Sequence, residues 1–327
     1  MIIKTDRVRS RSETWARGLV NRCTPDTAGL NVEGMVMPIV SVIAAPGSGA
    51  VTTQVVEQLC SDVRGHSLTW LAPGDAAEFT VDTPSPDITA AKATLAESSI
   101  DLNLVPTANR KKRVLLADMD STMIGQECID ELATEAGVGD RVADITARAM
   151  NGELDFNDAL RERVGLLKGL DRSVIDTVWQ TRITATPGGA TLLATMKAGG
   201  AYAALVSGGF TEFTERVSAQ LGFDEHRANT LLHDGTHLNG QVGDPILGRE
   251  AKVTALNDII QRHGLTPDDV LAVGDGANDL GMLDRAGMGV ALHAKPSVQA
   301  QAQISVNHGD LTALLYLQGY HRSDFVG

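Results

Sequence analysis

Four short apolar runs constrain the fold of this chain most strongly, because each one ends in small or acidic residues. They read RVLLADMD (113–120), AYAALVSGG (201–209), DDVLAVGDG (268–276) and MGVALHA (288–294), with helical patterns between them. Buried parallel strands have this continuous apolar character and alternate with helices. Ligands of such sheets gather outside the carboxyl ends of the strands. The pattern therefore predicts an α/β fold whose site lies at one edge of a parallel sheet.

The rest of the chain divides into segments with different patterns. Between the first two runs, the mostly helical stretch is too long for a simple crossover, which predicts a helical cap inserted at about residues 125–185. Residues 38–106 read in the order β-α-β-β-α-β, which predicts a small ferredoxin-like α+β domain similar to ACT domains. A basic linker, TANRKKR, opens the predicted α/β domain at 107–327. Residues 1–37 show no sustained periodicity, which predicts a disordered leader.

Composition excludes several classes of function. The 327 residues carry a formal net charge of -13, whereas a general nucleic-acid binder needs clustered Lys and Arg. No apolar run is long enough to cross a membrane, so no membrane association is expected. The three cysteines, Cys23, Cys60 and Cys128, are far apart and odd in number. This usage indicates a reducing compartment, so we predict a cytoplasmic protein. Arg, Ser and Thr near the N-terminus leave an organelle transit segment as an alternative, and a homodimer stays open.

Asp118 and Asp120 are the first candidates for chemistry. In an extended segment, residues i and i+2 point to the same side, so both carboxylates can face one cavity. One can then serve as a nucleophile or metal ligand while the other transfers protons. A second acidic strand end, VGDGAND, supplies Asp275 and Asp279. Carboxylates gathered at adjacent strand ends repel one another unless a cation neutralises them, and hard oxygen ligands suit Mg²⁺.

A third strand end offers an anion site. Ser207, Gly208 and Gly209 supply a hydroxyl and backbone N–H groups where a strand meets a helix. Lys252 falls in a predicted helix, and its spacing alone does not distinguish it from a surface lysine. The segment APGSGAVT (45–52) has the glycines of a phosphate loop but lacks its Gly-Lys-Ser/Thr ending, so we expect a plain turn.

Taken together, these segments resemble the motifs of the haloacid dehalogenase-like hydrolases. The segment DMDST is similar to their first motif, and GDGAND is similar to their fourth. Ser207 and Lys252 match the second and third motifs, so the resemblance extends from about residue 113 to about residue 320. Longer segments, such as AMNGELDFNDALRERVGLLKGL and VSGGFTEF, resemble the phosphoserine phosphatase family within that superfamily.

The resemblance implies a mechanism. Asp118 would be the nucleophile that forms an aspartyl-phosphate, and Asp120 would be the general acid and then the general base. Mg²⁺ would be held by Asp118, the backbone carbonyl of Asp120, and Asp275, with Asp279 in support. The phosphoryl group would be held by Ser207, Gly208 and Lys252, with Asn278 as a further polar contact.

The resemblance also implies which residues bind the amino acid part of the substrate. Glu127 would bind the ammonium of phosphoserine, and Arg163 would bind its carboxylate. From the residues alone, Arg163 and Arg161 cannot be told apart. Met150 and Phe156 would close the cap over the substrate. Two alternatives are a phosphatase for another small phosphorylated amino acid, such as phosphohomoserine or phosphothreonine, and an amino acid sensor with a vestigial catalytic domain.

Overall fold

The computed structural model describes residues 37–83, 86–95, 97–150 and 153–327. The predicted leader therefore lies outside the described residues, except for Met37. The strands are β1 (Ile39–Ala44), β2 (Gly65–Ala72), β3 (Ala76–Val81), β4 (Ile100–Val105), β5 (Val114–Ala117), β6 (Tyr202–Phe210), β7 (Glu225–Asn229), β8 (Leu231–His233), β9 (Leu238–Val242), β10 (Val270–Gly274), β11 (Met288–Leu292) and β12 (Ile304–Val306). The α-helices are α1 (Thr53–Asp62), α2 (Thr89–Thr94), α3 (Cys128–Glu135), α4 (Gly139–Met150), α5 (Phe156–Gly165), α6 (Val174–Thr181), α7 (Gly189–Ala198), α8 (Thr211–Leu221), α9 (Arg249–His263), α10 (Leu280–Arg285), α11 (Pro296–Gln299) and α12 (Ala313–Leu317).

The N-terminal sheet has the strand order β2-β3-β1-β4, and each neighbouring pair is antiparallel. This is the arrangement of a ferredoxin-like unit, as the element order predicted. Side chains of β1 alternate between the two faces of the sheet. Val40 and Val42 join the cluster under α1 and α2, whereas Ile39 and Ile43 pack toward the catalytic unit. Both faces of β1 are therefore buried, one under α1 and α2 and the other against the rest of the chain.

A six-stranded parallel sheet forms the second unit, in the order β12-β11-β10-β5-β6-β7. This is the strand order of doubly wound nucleotide-binding sheets, in which ligands bind where the order reverses. Here that point lies between β5 and β10, where Asp118 and Asp275 follow the two strands. The predicted fold class is confirmed. The sequence did not predict β7 or β12, since β7 is a polar edge strand (EHRAN) and β12 has three residues.

Helices α3 to α6 form the inserted cap between β5 and β6. The chain leaves and re-enters the core beside an isolated bridge between Ile124 and Ala185. On the far side, the β8–β9 hairpin contacts the cap, where Gly169 N–H donates to the carbonyl of Leu238 at 2.8 Å. The cap therefore contacts the core both where the chain enters it and at the β8–β9 hairpin. Among the described residues, no helix is both long enough and apolar enough to cross a membrane.

The predicted linker, residues 107–113, packs against the catalytic unit. Lys112 is only 5% exposed, and its Nζ donates to the carbonyl of Asp268 at 2.7 Å. A second contact joins the two sheets at their edges. The buried carboxylate of Asp101 on β4 accepts the N–H groups of residues 307–309, just after β12. These bonds fix the orientation of the N-terminal sheet relative to the catalytic unit.

Candidate active site

Lys252 lies at the centre of a buried ion cluster at the carboxyl ends of β5 and β10. Its Nζ is 2.7 Å from Oδ1 of Asp118 and 2.6 Å from Oδ1 of Asp279. Burial alone would lower the pKa of Lys252, but the two carboxylates outweigh burial and raise that pKa. The ammonium therefore stays charged between two acids that solvent barely reaches. Lys252 belongs to the core, in contrast to the surface position that a lone lysine usually takes.

Asp275 adds a third carboxylate to this cluster. One carboxylate oxygen from each of Asp118, Asp275 and Asp279 lies within 4.8 Å of the other two. Three carboxylates against one ammonium leave an excess of negative charge, which a divalent cation would neutralise. Burial, followed by the charges of Asp279 and Glu127, raises the pKa of Asp275 to about 6. Hard oxygen ligands and uncompensated negative charge fit a divalent metal ion.

Burial also changes the acidity of the two acids that follow β5. It raises the pKa of Asp118, and the nearby charge of Asp279 raises it further. The pKa of Asp120 rises to about 7, first through burial and then through the charge of Glu127. A carboxyl group that titrates near neutral pH is suited to both donating and accepting a proton. The environment of Asp120 is therefore appropriate for an acid–base residue.

Two neighbours hold the carboxyl group of Asp120. The backbone N–H of Cys128, the first residue of α3, donates to Oδ1 at 3.3 Å. On the other side lies Gly209, where a Cβ atom would stand only 2.6 Å from Oδ2 of Asp120. The glycine thus permits the close approach of β6 to this carboxyl group. Asp120 is positioned between the start of the cap and the end of β6.

The end of β6 forms the predicted anion-binding loop. Ser207 is 2% exposed, and its Oγ accepts the N–H of Gly209 at 2.8 Å. Because Oγ is the acceptor in that bond, its own proton can be donated to an anion. The carbonyl of Gly208 accepts the side-chain amide of Asn229 at 2.8 Å. The backbone of the loop is therefore held by hydrogen bonds, and one lone pair of the Ser207 hydroxyl is occupied by the N–H of Gly209.

Glu127 and Arg163 lie where the cap meets the acids of the core. Glu127 precedes α3, is exposed, and accepts the hydroxyl of Ser121 at 2.7 Å. Arg163 is half-buried on α5. Burial lowers the pKa of Arg163, while the charges of Asp130, Glu127 and Asp120 oppose that effect. A cation and an anion thus sit within electrostatic range of Asp120, on its cap side.

Arg161 has a different environment from Arg163. Its side chain is about half exposed and forms surface ion pairs of 3.6 Å with Asp158 and with Asp244. Of these two arginines, Arg163 is the one that Glu127 and Asp120 influence electrostatically. The role of Arg163 in binding the substrate carboxylate stays a prediction.

Phe156 connects the cap to the core. Its ring lies 3.1 Å from the point where a Cβ atom would stand on Gly208, and equally close to that point on Gly248. Glycine at both positions makes room for the ring.

The side chain of Met150 lies outside the described residues. Asn278 is half-buried, and its Oδ1 lies over the turn at Gly276, 2.2 Å from the point where a Cβ atom would stand on that glycine.

Three residues near the site were not predicted to take part in it. Thr122 is fully buried and donates its hydroxyl to Oδ1 of Asp275 at 3.2 Å. Its position in DMDST was a usable signal. Cys128 entered the sequence reasoning only through the number and spacing of the cysteines, and it is a free, buried cysteine beside Asp120. Asn229 carried no sequence signal, because it ends a polar strand that was not predicted.

Comparison with known proteins identifies the family. A sequence model of the haloacid dehalogenase-like hydrolases matches residues 115–284. Over 243 residues, the chain is 40% identical to a phosphoserine phosphatase from Archaeoglobus fulgidus, which covers 72% of this chain and 70% of that protein. The chain belongs to the phosphoserine phosphatase family of the haloacid dehalogenase-like hydrolases. As a member of this family it is an enzyme, and the predicted relationship is confirmed.

Solved structures of this family extend the match to the fold. A probable phosphoserine phosphatase from Vibrio cholerae, in an unliganded form, superposes with a TM-score of 0.69 at 30% identity, covering 93% of both chains. A structure described as a phospho-aspartyl intermediate analogue of phosphoserine phosphatase matches with a TM-score of 0.58 at 40% identity. That match covers 63% of this chain and 98% of the other. The similarity to the Vibrio protein therefore includes most of the N-terminal unit.

Proposed function

We propose that this enzyme hydrolyses O-phospho-L-serine to L-serine and phosphate through an aspartyl-phosphate on Asp118. The observation that carries the proposal is the separation of two acids that follow one strand. Asp118 contacts the buried cation Lys252, whereas Asp120 faces the cap-side charges of Glu127 and Arg163. One acid is thus placed to meet a phosphoryl group, and the other to meet the group that leaves it.

In the first step, a carboxylate oxygen of Asp118 attacks phosphorus and the bond to the serine oxygen breaks. Asp120 gives its proton to that oxygen, so serine leaves as a neutral alcohol. In the second step, Asp120 takes a proton from water as the water attacks phosphorus. The acyl phosphate bond then breaks, which releases phosphate and restores Asp118. A pKa of about 7 for Asp120 allows both directions of proton transfer near neutral pH.

The residues around Asp118 reduce its repulsion from an anionic substrate. Lys252 neutralises part of the negative charge, and Ser207 with the N–H groups of its loop supplies hydrogen-bond donors for the phosphoryl oxygens. Asp118, Asp275 and the backbone carbonyl of Asp120, supported by Asp279, would hold Mg²⁺. The ion would supply a positive charge that polarises the phosphoryl group. The close approach of the three carboxylate oxygens supports this assignment.

The substrate's amino acid part is assigned to the cap side. Its ammonium would pair with Glu127 and its carboxylate with Arg163, because the charges are complementary. Ser121 orients Glu127 through its 2.7 Å hydrogen bond. Phe156 would close the site above the phosphoryl loop, and Asn278 would contact the substrate from the turn after β10. The names of the relatives support phosphoserine as the substrate.

Phosphate release from phospho-L-serine by the purified protein, with and without Mg²⁺, tests this function. Phosphothreonine and phosphohomoserine are the comparison substrates, and Asp118→Asn is the inactive control. We expect Mg²⁺-dependent release that is fastest with phosphoserine and absent in the variant. Preference for another phosphoamino acid would replace the substrate assignment. Absence of release from every compound would favour a sensor.

The reaction would be the last step of serine biosynthesis, which is part of this proposal. The cytoplasmic location stays a prediction from cysteine usage and composition. The homodimer also stays a prediction.

A further inference from the structure

The C-terminal part of β6 leaves the regular ladder of the sheet. Val206 pairs with Arg227 and Phe210 pairs with Asn229, so residues 207–209 stand opposite the single residue Ala228. Such a bulge leaves backbone groups without a ladder partner. A buried carbonyl in that position needs another donor. The predicted phosphoryl-binding loop is this bulge, so its shape depends on whatever replaces the missing ladder bonds.

The side chain of Asn229 supplies the replacement. It is 1% exposed, and its Nδ2 donates to the carbonyl of Gly208 at 2.8 Å. The same nitrogen lies 3.3 Å from the carbonyl of Leu247, and Oδ1 accepts the N–H of Leu247 at 2.7 Å. One amide therefore connects the bulge to the segment that precedes α9. That helix begins at Arg249 and carries Lys252 in its first turn.

We propose that Asn229 is a positioning residue that sets the distance between the phosphoryl-binding loop and the start of the helix that carries Lys252. This inference rests on the proposed function of that loop. The amide has one acceptor and two donors, and the three bonds use both kinds of group. Aspartate, its nearest isostere, would place a second acceptor against two carbonyl oxygens and would push the segments apart.

The position of the Phe156 ring depends on the same hydrogen bonds of Asn229. The ring lies between Gly208 and Gly248, close to both backbones. Gly208 is the residue whose carbonyl Asn229 holds, and Gly248 directly follows Leu247. Asn229 therefore also sets the width of the slot that receives the cap. A change at this residue would alter the phosphoryl loop and the cap contact together.

Asn103 provides a matched control away from the site. It is a buried asparagine, 2% exposed, whose amide pairs with both the N–H and the carbonyl of a single residue, Ser305. Asn103→Asp and Asn229→Asp therefore make the same chemical change in similar backbone bonds. The difference is that Asn229 also binds the carbonyl of Gly208.

The experiment compares the two variants with the wild-type protein in the presence of Mg²⁺. The readouts are kcat/KM for phosphoserine and p-nitrophenyl phosphate, the inhibition constant of inorganic phosphate, and the Tm. We expect both variants to lower the Tm. Only Asn229→Asp should raise the phosphate inhibition constant, by about tenfold, which is the effect expected when a buried hydrogen bond is lost. Its kcat/KM for both substrates should fall by at least the same factor.

A purely structural role would reduce the amount of folded enzyme and leave the phosphate inhibition constant unchanged. The proposal is overturned if Asn229→Asp changes that constant no more than Asn103→Asp does. If Asn229→Asp does not fold, Asn229→Ser takes its place, because serine is too short to bridge Gly208 and Leu247. A wild-type protein that cleaves p-nitrophenyl phosphate but not phosphoserine would refute the proposed substrate, while the phosphate and p-nitrophenyl phosphate comparisons would still test Asn229. If neither substrate is cleaved, the dissociation constants of inorganic phosphate, measured by calorimetry, compare the two variants in the same way.

Discussion

Nζ of Lys252 lies 2.7 Å from Oδ1 of Asp118, and both side chains are shielded from solvent. A buried carboxylate without this partner would repel a phosphoryl group and would tend to bind a proton. The contact opposes the effect of burial on the pKa of Asp118 and reduces the negative charge that an incoming phosphate meets. It also joins two parts of the chain that are far apart in sequence.

Replacing Lys252 with Met should separate catalysis from metal binding. We expect kcat to fall by about 10² to 10³, the effect of removing one preorganised charge from a transition state. The remaining acids, Asp118, Asp275 and Asp279, would then have no buried cation, so Mg²⁺ should raise the Tm of the variant more than that of the wild type. Lys252→Arg keeps the charge and is the control. A smaller Mg²⁺-induced Tm shift in Lys252→Met than in the wild type would show that Lys252 does not offset the negative charge of these acids.

Replacing Asp120 with Asn should slow both halves of the reaction. The amide cannot give a proton to serine or take one from water, and we expect each step to slow by about 10² to 10⁴. Rapid-quench measurement of serine and phosphate release resolves the two steps. Loss of only one step would show that a different group handles the other proton.

The metal-free protein should lose stability as the pH rises from about 4 to about 7. Burial raises the pKa of Asp275 to about 6 and that of Asp120 to about 7, from an ordinary value of 3.8. The folded state then binds protons more tightly than the unfolded state, so these groups lower the free energy of unfolding once they ionise. Mg²⁺ binds the ionised form, so its stabilising effect should grow over the same pH range.

Thermal unfolding with and without Mg²⁺ across that range checks the expectation. The Mg²⁺-induced increase in Tm should be small at about pH 5 and large at about pH 7.5, because the ligands must first lose their protons. Asp275→Asn should remove most of this increase. An increase that does not depend on pH would mean that these carboxylates do not form the metal site.

Replacing Arg163 with Ala should weaken binding of phosphoserine. We expect KM to rise by about 10- to 100-fold, since a charge-assisted hydrogen bond to the substrate carboxylate is lost. The KM for p-nitrophenyl phosphate, which has no carboxylate, should change little. Arg161→Ala is the matched control on the same helix and should behave like the wild type, because the ion pairs that Arg161 forms with Asp158 and Asp244 are at the surface. Equal effects of the two variants would remove the assignment of Arg163.

Replacing Asp101 with Asn should loosen the contact between the two sheets. The carboxylate accepts three backbone N–H groups, at 2.8, 3.0 and 3.0 Å, and the amide has only one oxygen to offer. We expect the free energy of unfolding to fall by about 1–3 kcal/mol. Asp87→Asn is the control, because Asp87 is exposed and accepts the N–H of Thr89 in a local bond. Denaturant unfolding measures both, and equal losses would show that the contact is not stabilising.

The sequence by itself determined the fold class and most of the acids of the site. Apolar runs that end in Asp118, Ser207 and Asp275 place those residues at the carboxyl ends of strands, because strand periodicity is a local property. The ferredoxin-like unit was predicted from the order of its strands and helices, which local periodicity also reveals. The roles of individual residues came from the family resemblance, since a carboxylate at a strand end serves equally as a ligand, an acid or a cap.

Only the tertiary structure decided which distant residues join those strand ends. A helical lysine has the same sequence pattern on the surface and in the core, so the burial of Lys252 between two acids depends on how α9 packs. Arg163 and Arg161 lie two residues apart on one helix, and only the packing of α5 separates their environments. Asn229 acts on Gly208 and Leu247 through an irregular part of the sheet. Contacts of this kind depend on packing between distant segments, which local periodicity does not encode.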